Sequence, residues 1–235
     1  MADNSETAGL TPSSSRNNTE KPARQHCNKL DGKLWLLNSI SVWSDVEMQP
    51  GESYPEVPLA LVERLIETFL PPDGHVILDP FSDSGTTLLA TQQLGLQGIG
   101  RVSSTEHQKL VVPESVDLCI ASPMDPRNLD REPKTSDDHE KFLTALADVF
   151  TDVLSALKAG AYCCIVVKDM RTKNRFLPVH SDLSSQLTKT GFVFHDLIIW
   201  DRGREYDGLR PLGYPTVFYL NRVHEYVLIM QKPRL

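Results

Sequence analysis

The chain has 235 residues, a length that suits one α/β domain with a tail, and its 40% hydrophobic residues are enough to bury a full core. A formal charge of −7 is not that of a protein that grips nucleic acid over its whole surface. The longest apolar runs, Tyr162 to Val167 and Val227 to Met230, are strand-sized and far too short for a membrane span.

Residues 1 to about 28 are rich in Ser, Asn, Thr and Pro and nearly free of large apolar side chains, so a disordered tail is predicted there, followed by one domain over 29–235. Met1 to Gln25 has no apolar stretch of the secretory kind and carries Asp3, Glu6 and Glu20, so an intracellular, cytoplasmic protein is expected. Four cysteines (Cys27, Cys119, Cys163, Cys164) show no CxxC spacing, and three fall in predicted core strands, where a reduced thiol behaves as a small hydrophobe. Neither a metal site nor a disulfide is expected.

Pro58 suits a first helical turn, and Leu61, Leu65 and Phe69 share one face of a segment from Leu59 to Leu70. Pro71-Pro72-Asp73-Gly74 stops it. A short strand, Val76 to Leu78, is followed by a polar turn and a helix from Thr86 to Leu94, closed by Gly95. Further strands are predicted near Gly98 to Val102 and at Val116 to Ala121. Phe142, Leu146, Phe150, Val153 and Leu157 recur at helical spacing, giving a long helix from about Asp138 to Leu157 that Lys158-Ala159-Gly160 ends. The continuously apolar run Tyr162 to Val167 reads as a strand buried on both faces. A helix from Val179 to Lys189, a strand from Phe192 to Trp200 and a strand from Glu225 to Gln231 complete the chain. Alternation of this kind predicts a doubly wound, mostly parallel α/β sheet, with an antiparallel strand near one edge.

Charge is uneven along the sequence. Lys168, Arg171, Lys173 and Arg175 cluster in one loop and Arg202, Arg204 and Arg210 in another, so a locally basic face exists that either meets phosphate or is simply solvated.

The strand at Val76 to Leu78 runs into Asp79-Pro80-Phe81-Ser82-Asp83-Ser84-Gly85-Thr86-Thr87 and then a helix. Ligands bind at the carboxyl ends of strands in open α/β sheets, and a helix amino terminus favours an anion. An ordinary strand-to-helix turn with Ser and Thr as caps fits the same spacing. DPFSDSGTT resembles the DPFxGSGTT cofactor motif of the amino-group DNA methyltransferases, which use S-adenosylmethionine to modify cytosine N4 or adenine N6, often as the modification half of a restriction system. That resemblance implies a Rossmann-like fold and places Asp79, Pro80, Phe81, Ser84, Gly85, Thr86 and Thr87 in the cofactor pocket. Ser53 to Pro58 looks like the family's HPxxxP segment beside the methionine moiety, which adds Tyr54, standing where His is usual, and Pro55. Asp83 fills a position that commonly holds Gly; if that position has positive φ or touches the cofactor, the Asp adds strain and a competing charge.

Val116 to Ala121 ends in Ser122-Pro123-Met124-Asp125, which is similar to the SVDLVVTSPPY stretch of the same family. There a polar side chain and a backbone carbonyl accept the two N–H bonds of a weakly nucleophilic amine, and the aromatic residue stacks on the flipped base. The resemblance makes Ser122, Pro123 and Asp125 the catalytic candidates, although Met124 replaces the second Pro and Asp125 the aromatic. A plain Pro turn ending a strand is the other reading. The family also places an acidic residue for the ribose, a helix and a strand after the segment matching Gly98-Ile99-Gly100. Here Arg101 follows, and the stretch to Val116 is too short, since a parallel crossover alone takes about a dozen residues or more.

The second half resembles the family's last strands through Leu209 to Pro215 and Val223 to Leu228, in which His224-Glu225-Tyr226 is structural or catalytic. Arg202, Arg204 and Arg210, in the loop from Trp200 to Tyr214, either contact DNA or lie in solvent. The expected function is thus S-adenosylmethionine-dependent methylation of DNA, weak or absent, with DNA as partner and no membrane or metal. A catalytically dead methyltransferase fold that binds DNA or a protein is the alternative.

Overall fold

The computed structural model describes residues 27–46, 57–101, 112–123, 136–171, 175–202, 209–212 and 215–234. Its helices are α1 (Gly32–Asn38), α2 (Leu59–Phe69), α3 (Thr86–Gln93), α4 (Ser136–Ala156) and α5 (Val179–Thr190). The strands are β1 (Val42–Trp43), β2 (Val76–Asp79), β3 (Gln97–Gly100), β4 (Val116–Ala121), β5 (Leu157–Val167), β6 (Met170–Arg171), β7 (Phe176–Leu177), β8 (Val193–Asp201) and β9 (His224–Gln231). Seven strands form one sheet in the order β1-β8-β9-β5-β4-β2-β3, and β6 and β7 form a separate hairpin. Only β9 is antiparallel to its neighbours in the large sheet, lying between β5 and β8 and two strands in from the β1 edge. The expected α/β architecture is the one observed.

Both faces of the sheet are covered, which is why β2 and β4 are buried at every residue. On one face Leu61 and Leu65 of α2 and Ala90 of α3 pack with Ile77, Leu118, Ile120 and Val227. On the other, Phe150 and Val153 of α4 and Leu183 and Leu187 of α5 pack with Leu78, Cys119, Cys163 and Leu228. Burial pushes the Cys119 and Cys164 thiols well above their ordinary pKa, as expected for thiols that serve as core packing. Among the described residues, no helix is long and apolar enough to cross a membrane.

Lys158-Ala159-Gly160 does not end the long helix. The helix stops at Ala156, and these residues already belong to β5. Leu157 pairs with Val116, and the Gly160 N–H donates to the Lys232 carbonyl, so strand pairing overrides the helical preference of Leu, Lys and Ala. Lys158 also reaches back to Asp117, the one charged residue in the buried β4. Asp117 Oδ1 accepts from Lys158 Nζ at 2.5 Å, and its Oδ2 accepts from the backbone N–H groups of His75 and Val76, each at 3.0 Å.

Sequence periodicity does not reveal α1 and β1. In α1 no residue is buried, and its cap is Asp31, which accepts from the N–H of Lys33 and Leu34. Arg64 on α2 holds this segment to the core. It donates to Asn38 Oδ1 at 2.7 Å and Asp45 Oδ1 at 2.6 Å and lies 4.1 Å over the buried Trp43 ring.

Candidate active site

Strands β2 and β4 are parallel neighbours, in register at Ile77–Leu118 and Leu78–Cys119. The turn that follows Asp79 and the turn that follows Ala121 therefore emerge side by side at the same end of the sheet, where open α/β folds bind ligands. Ser122 is half-buried and Pro123 buried at this end. Asp125, Tyr54, Pro55 and Arg204, expected in the site from the sequence, lie outside the described residues.

The turn after β2 is built by its own backbone. Asp79 is 4% exposed, and its Oδ1 accepts from the Phe81 N–H at 2.9 Å. Ser82 to Ser84 make a single 3-10 turn, and Gly85 follows in the left-handed region at φ 75°. The positive φ therefore falls at Gly85 and not at Asp83, whose place in the turn needs no glycine. That removes the strain expected at Asp83 and leaves only its charge. The Ser82 N–H and Oγ both donate to the Arg101 carbonyl, at 3.1 and 2.9 Å. A Cβ on Gly100 would lie 2.5 Å from Ser82 Oγ, so the end of β3 is pressed against this turn and a side chain there would have to displace Ser82.

These residues fit S-adenosylmethionine in part. Helix α3 is preceded by Gly85 as its cap residue, with no side-chain cap, and among the described residues nothing lies within 4 Å of the position a Gly85 Cβ would take. Ser84 Oγ accepts from the Thr86 N–H only at 3.5 Å. An uncapped helix amino terminus leaves N–H groups that a carboxylate could accept from. Among the described residues, no acid stands at the ribose end. At the end of β3 the chain offers Arg101, whose N–H donates to the Asp79 carbonyl, in place of an acid that could accept from ribose hydroxyls.

Farther along the same sheet end, a buried polar network joins β5, α5, β8 and β9. Asp169 accepts from the His180 N–H and meets His180 Nδ1 at 2.7 Å. The His180 ring stacks on Tyr226 with centroids 4.0 Å apart, and Tyr226 Oη meets His224 Nε2 at 3.0 Å. Burial and the nearby Asp169 carboxylate push the Tyr226 phenol up. Glu225 is 7% exposed and accepts from Arg202 Nη1 at 2.7 Å; burial raises its pKa although Arg202 pulls it down. Arg202 is thereby engaged inside the fold. Arg210 is exposed, its carbonyl accepting from Asn221 Nδ2.

Sequence reading found Arg171 and Arg202 but had no means of finding Phe176, Tyr219 and Arg222, which fold beside them. The cation–aromatic contacts that join them span the chain from 171 to 222 and leave no local pattern.

The strand order is that of an open, mostly parallel α/β sheet, and the model of the DNA methylase family matches residues 8–112 and 116–235. The chain belongs to the DNA methylase family. It is similar to the type II methyltransferase M.BamHI of Bacillus amyloliquefaciens, 33% identical over 78 residues, which are 31% of this chain and 18% of that enzyme. It is also similar to M.ScaI of Streptomyces caespitosus, 36% identical over 92 residues, 35% of this chain and 28% of that enzyme. The matched stretches therefore span less than a third of either relative. Among solved structures, a putative DNA modification methylase of Thermus thermophilus is 28% identical, with a TM-score of 0.41, covering 52% of this chain and 48% of that one. An S-adenosylmethionine-dependent methyltransferase of Archaeoglobus fulgidus is 17% identical, with a TM-score of 0.48, covering 74% and 92%.

Proposed function

We propose that the chain is a slow S-adenosylmethionine-dependent methyltransferase acting on an exocyclic amine of DNA, N4 of cytosine or N6 of adenine. The observation that carries this reading is the side-by-side emergence of the β2 and β4 turns at one end of the sheet. Family membership supports DNA as the substrate and S-adenosylmethionine as the cofactor.

Asp79 holds the first turn in shape through Phe81, and the α3 amino terminus with Gly85, Thr86 and Thr87 would hold the cofactor's carboxylate. The bound cofactor supplies an electrophilic methyl group. Ser122 would accept one N–H of the target amine, which directs the nitrogen's electron density outward. Arg204 and Arg210 meet the DNA backbone, while Arg202 keeps the start of β9 in place through Glu225.

Turnover is slow for two reasons. Asp125 stands where an aromatic would stack on the extruded base, a contact worth roughly 1–3 kcal/mol. Arg101 stands where an acid would hold the ribose. Those two replacements also favour a second reading, a catalytically silent fold that retains DNA. Incubation with tritiated cofactor and mixed-sequence duplex DNA, followed by nucleoside analysis, separates them. Label in N4-methylcytosine or N6-methyladenine is expected. DNA bound but unlabelled would establish the silent reading, and label only in RNA or protein would overturn both.

A further inference from the structure

A cavity of about 300 Å³ opens beside the buried network, lined among others by Lys168, Arg171, Arg202, Arg222, Asp169 and Glu225. Both carboxylates are already engaged, Glu225 by Arg202 and Asp169 by His180. Arg171 and Arg222 are exposed and have no carboxylate partner among the described residues. Each lies against aromatic rings instead. The Arg171 guanidinium carbon is 5.3 Å from the Phe176 centroid and 4.6 Å from that of Tyr219, and Arg222 is 5.7 Å from Phe176. The result is a ladder, Arg222–Phe176–Arg171–Tyr219, built from the β6–β7 hairpin and the segment before β9. A guanidinium held by its face keeps its N–H edges for an anion.

Phe218 and Leu220, the chain neighbours of Tyr219, are 86% and 70% exposed, and Leu220 also lines the cavity. Large apolar side chains on a basic rim meet two parts of one ligand: phosphates for the cations, and flat apolar faces for Phe218 and Leu220. A duplex covers its base faces by stacking, whereas a single strand presents them. We infer that this surface binds a DNA strand with unpaired bases, Arg171 and Arg222 on phosphates and Phe218 against a base. This deepens the reading of the sheet end as a DNA site and rests on that reading for the identity of the polymer.

Fluorescence anisotropy of a labelled mixed-sequence DNA single strand, and of its duplex, titrated with the full chain over a salt series provides the test. The single strand is expected to bind about tenfold more tightly than the duplex, and Phe218→Ala to erase that difference. The double variant Arg171→Gln with Arg222→Gln is expected to reduce the slope of log affinity against log salt by about 1.4 for the single strand, roughly 0.7 per lost phosphate contact. All three side chains are exposed, so the variants keep the fold, which circular dichroism verifies. Duplex binding equal to or tighter than single-strand binding, or a slope unmoved by the double variant, would overturn the inference. Strand binding through these residues without methyl transfer removes the catalytic reading alone. Methyl transfer whose KM for DNA ignores these variants removes the inference alone.

Discussion

At residue 83 a carboxylate sits one turn before the α3 amino terminus, the place that would hold the cofactor's own carboxylate. Two like charges about 4 Å apart in water repel by about 1 kcal/mol. Asp83→Asn keeps the size and removes the charge, so calorimetry is expected to show cofactor affinity rising about fivefold; unchanged affinity would show that Asp83 points its charge elsewhere. The second turn has a counterpart test. Met124→Pro with Asp125→Tyr restores the stacking residue, and DNA methylation at saturating cofactor is expected to rise about five- to 150-fold, from roughly 1–3 kcal/mol of stacking. No gain, with the fold intact, would place the defect at the ribose end of the site. The turn after β2 was legible in the sequence because DPFSDSGTT is a contiguous run attached to an apolar strand, while of SPMD only Ser122 and Pro123 lie among the described residues. The ladder of Arg171, Phe176, Tyr219 and Arg222 was not, since only folding gathers it.

Among the elements, periodicity located α2, α4 and α5 and the strands β2, β4 and β9, because each buries a face against a core. It failed where burial does not set the pattern: α1 buries nothing, and β1 is a two-residue edge strand. It also hid Asp117 inside β4, a buried acid whose ties to the start of β2 and to β5 look in the sequence like an interruption in an apolar run. Burial pushes that carboxyl up, but Lys158 and the N–H groups of His75 and Val76 outweigh it and hold the pKa below the ordinary carboxylate value. A depressed carboxyl contributes stability above its unfolded pKa and loses it as pH falls through the folded value. Asp117→Ala orphans two backbone donors and is expected to cost about 3 kcal/mol in urea melts at neutral pH, with the deficit shrinking below about pH 4. A deficit under about 0.5 kcal/mol would mean that water replaces the carboxylate. Glu225 has the opposite sign. Its raised pKa means its contribution is complete at acid pH and declines as pH rises through the folded value. Removing Arg202 by Arg202→Ala lifts that pKa further, so a loss of about 3–5 kcal/mol is expected at neutral pH and a smaller one near about pH 4.5. A pH-independent loss would show that Arg202 acts through packing alone.

For the whole molecule, alternation of strands and helices was enough to give a doubly wound sheet, and the antiparallel β9 follows from two late strands joined without a helix. The short stretch between β3 and β4 was equally legible, and among the described residues the sheet ends at β3 on that side, with Arg101 at its tip. Two apolar strands that each end in a motif also imply neighbouring turns at one end of the sheet, and β4 does pair with β2 and bring the two turns together. The central proposal is that the turn after β2, opened by Gly85 at φ 75°, binds the cofactor's carboxylate, with Arg101 and no acid at the ribose end among the described residues. Calorimetric titration of S-adenosylmethionine into the full chain and into Gly85→Val tests it most directly. One weak, saturable site in the unaltered chain, lost in a Gly85→Val variant that still melts cooperatively, is the expected result. No saturable heat in the unaltered chain, or binding indifferent to Gly85→Val, would contradict it.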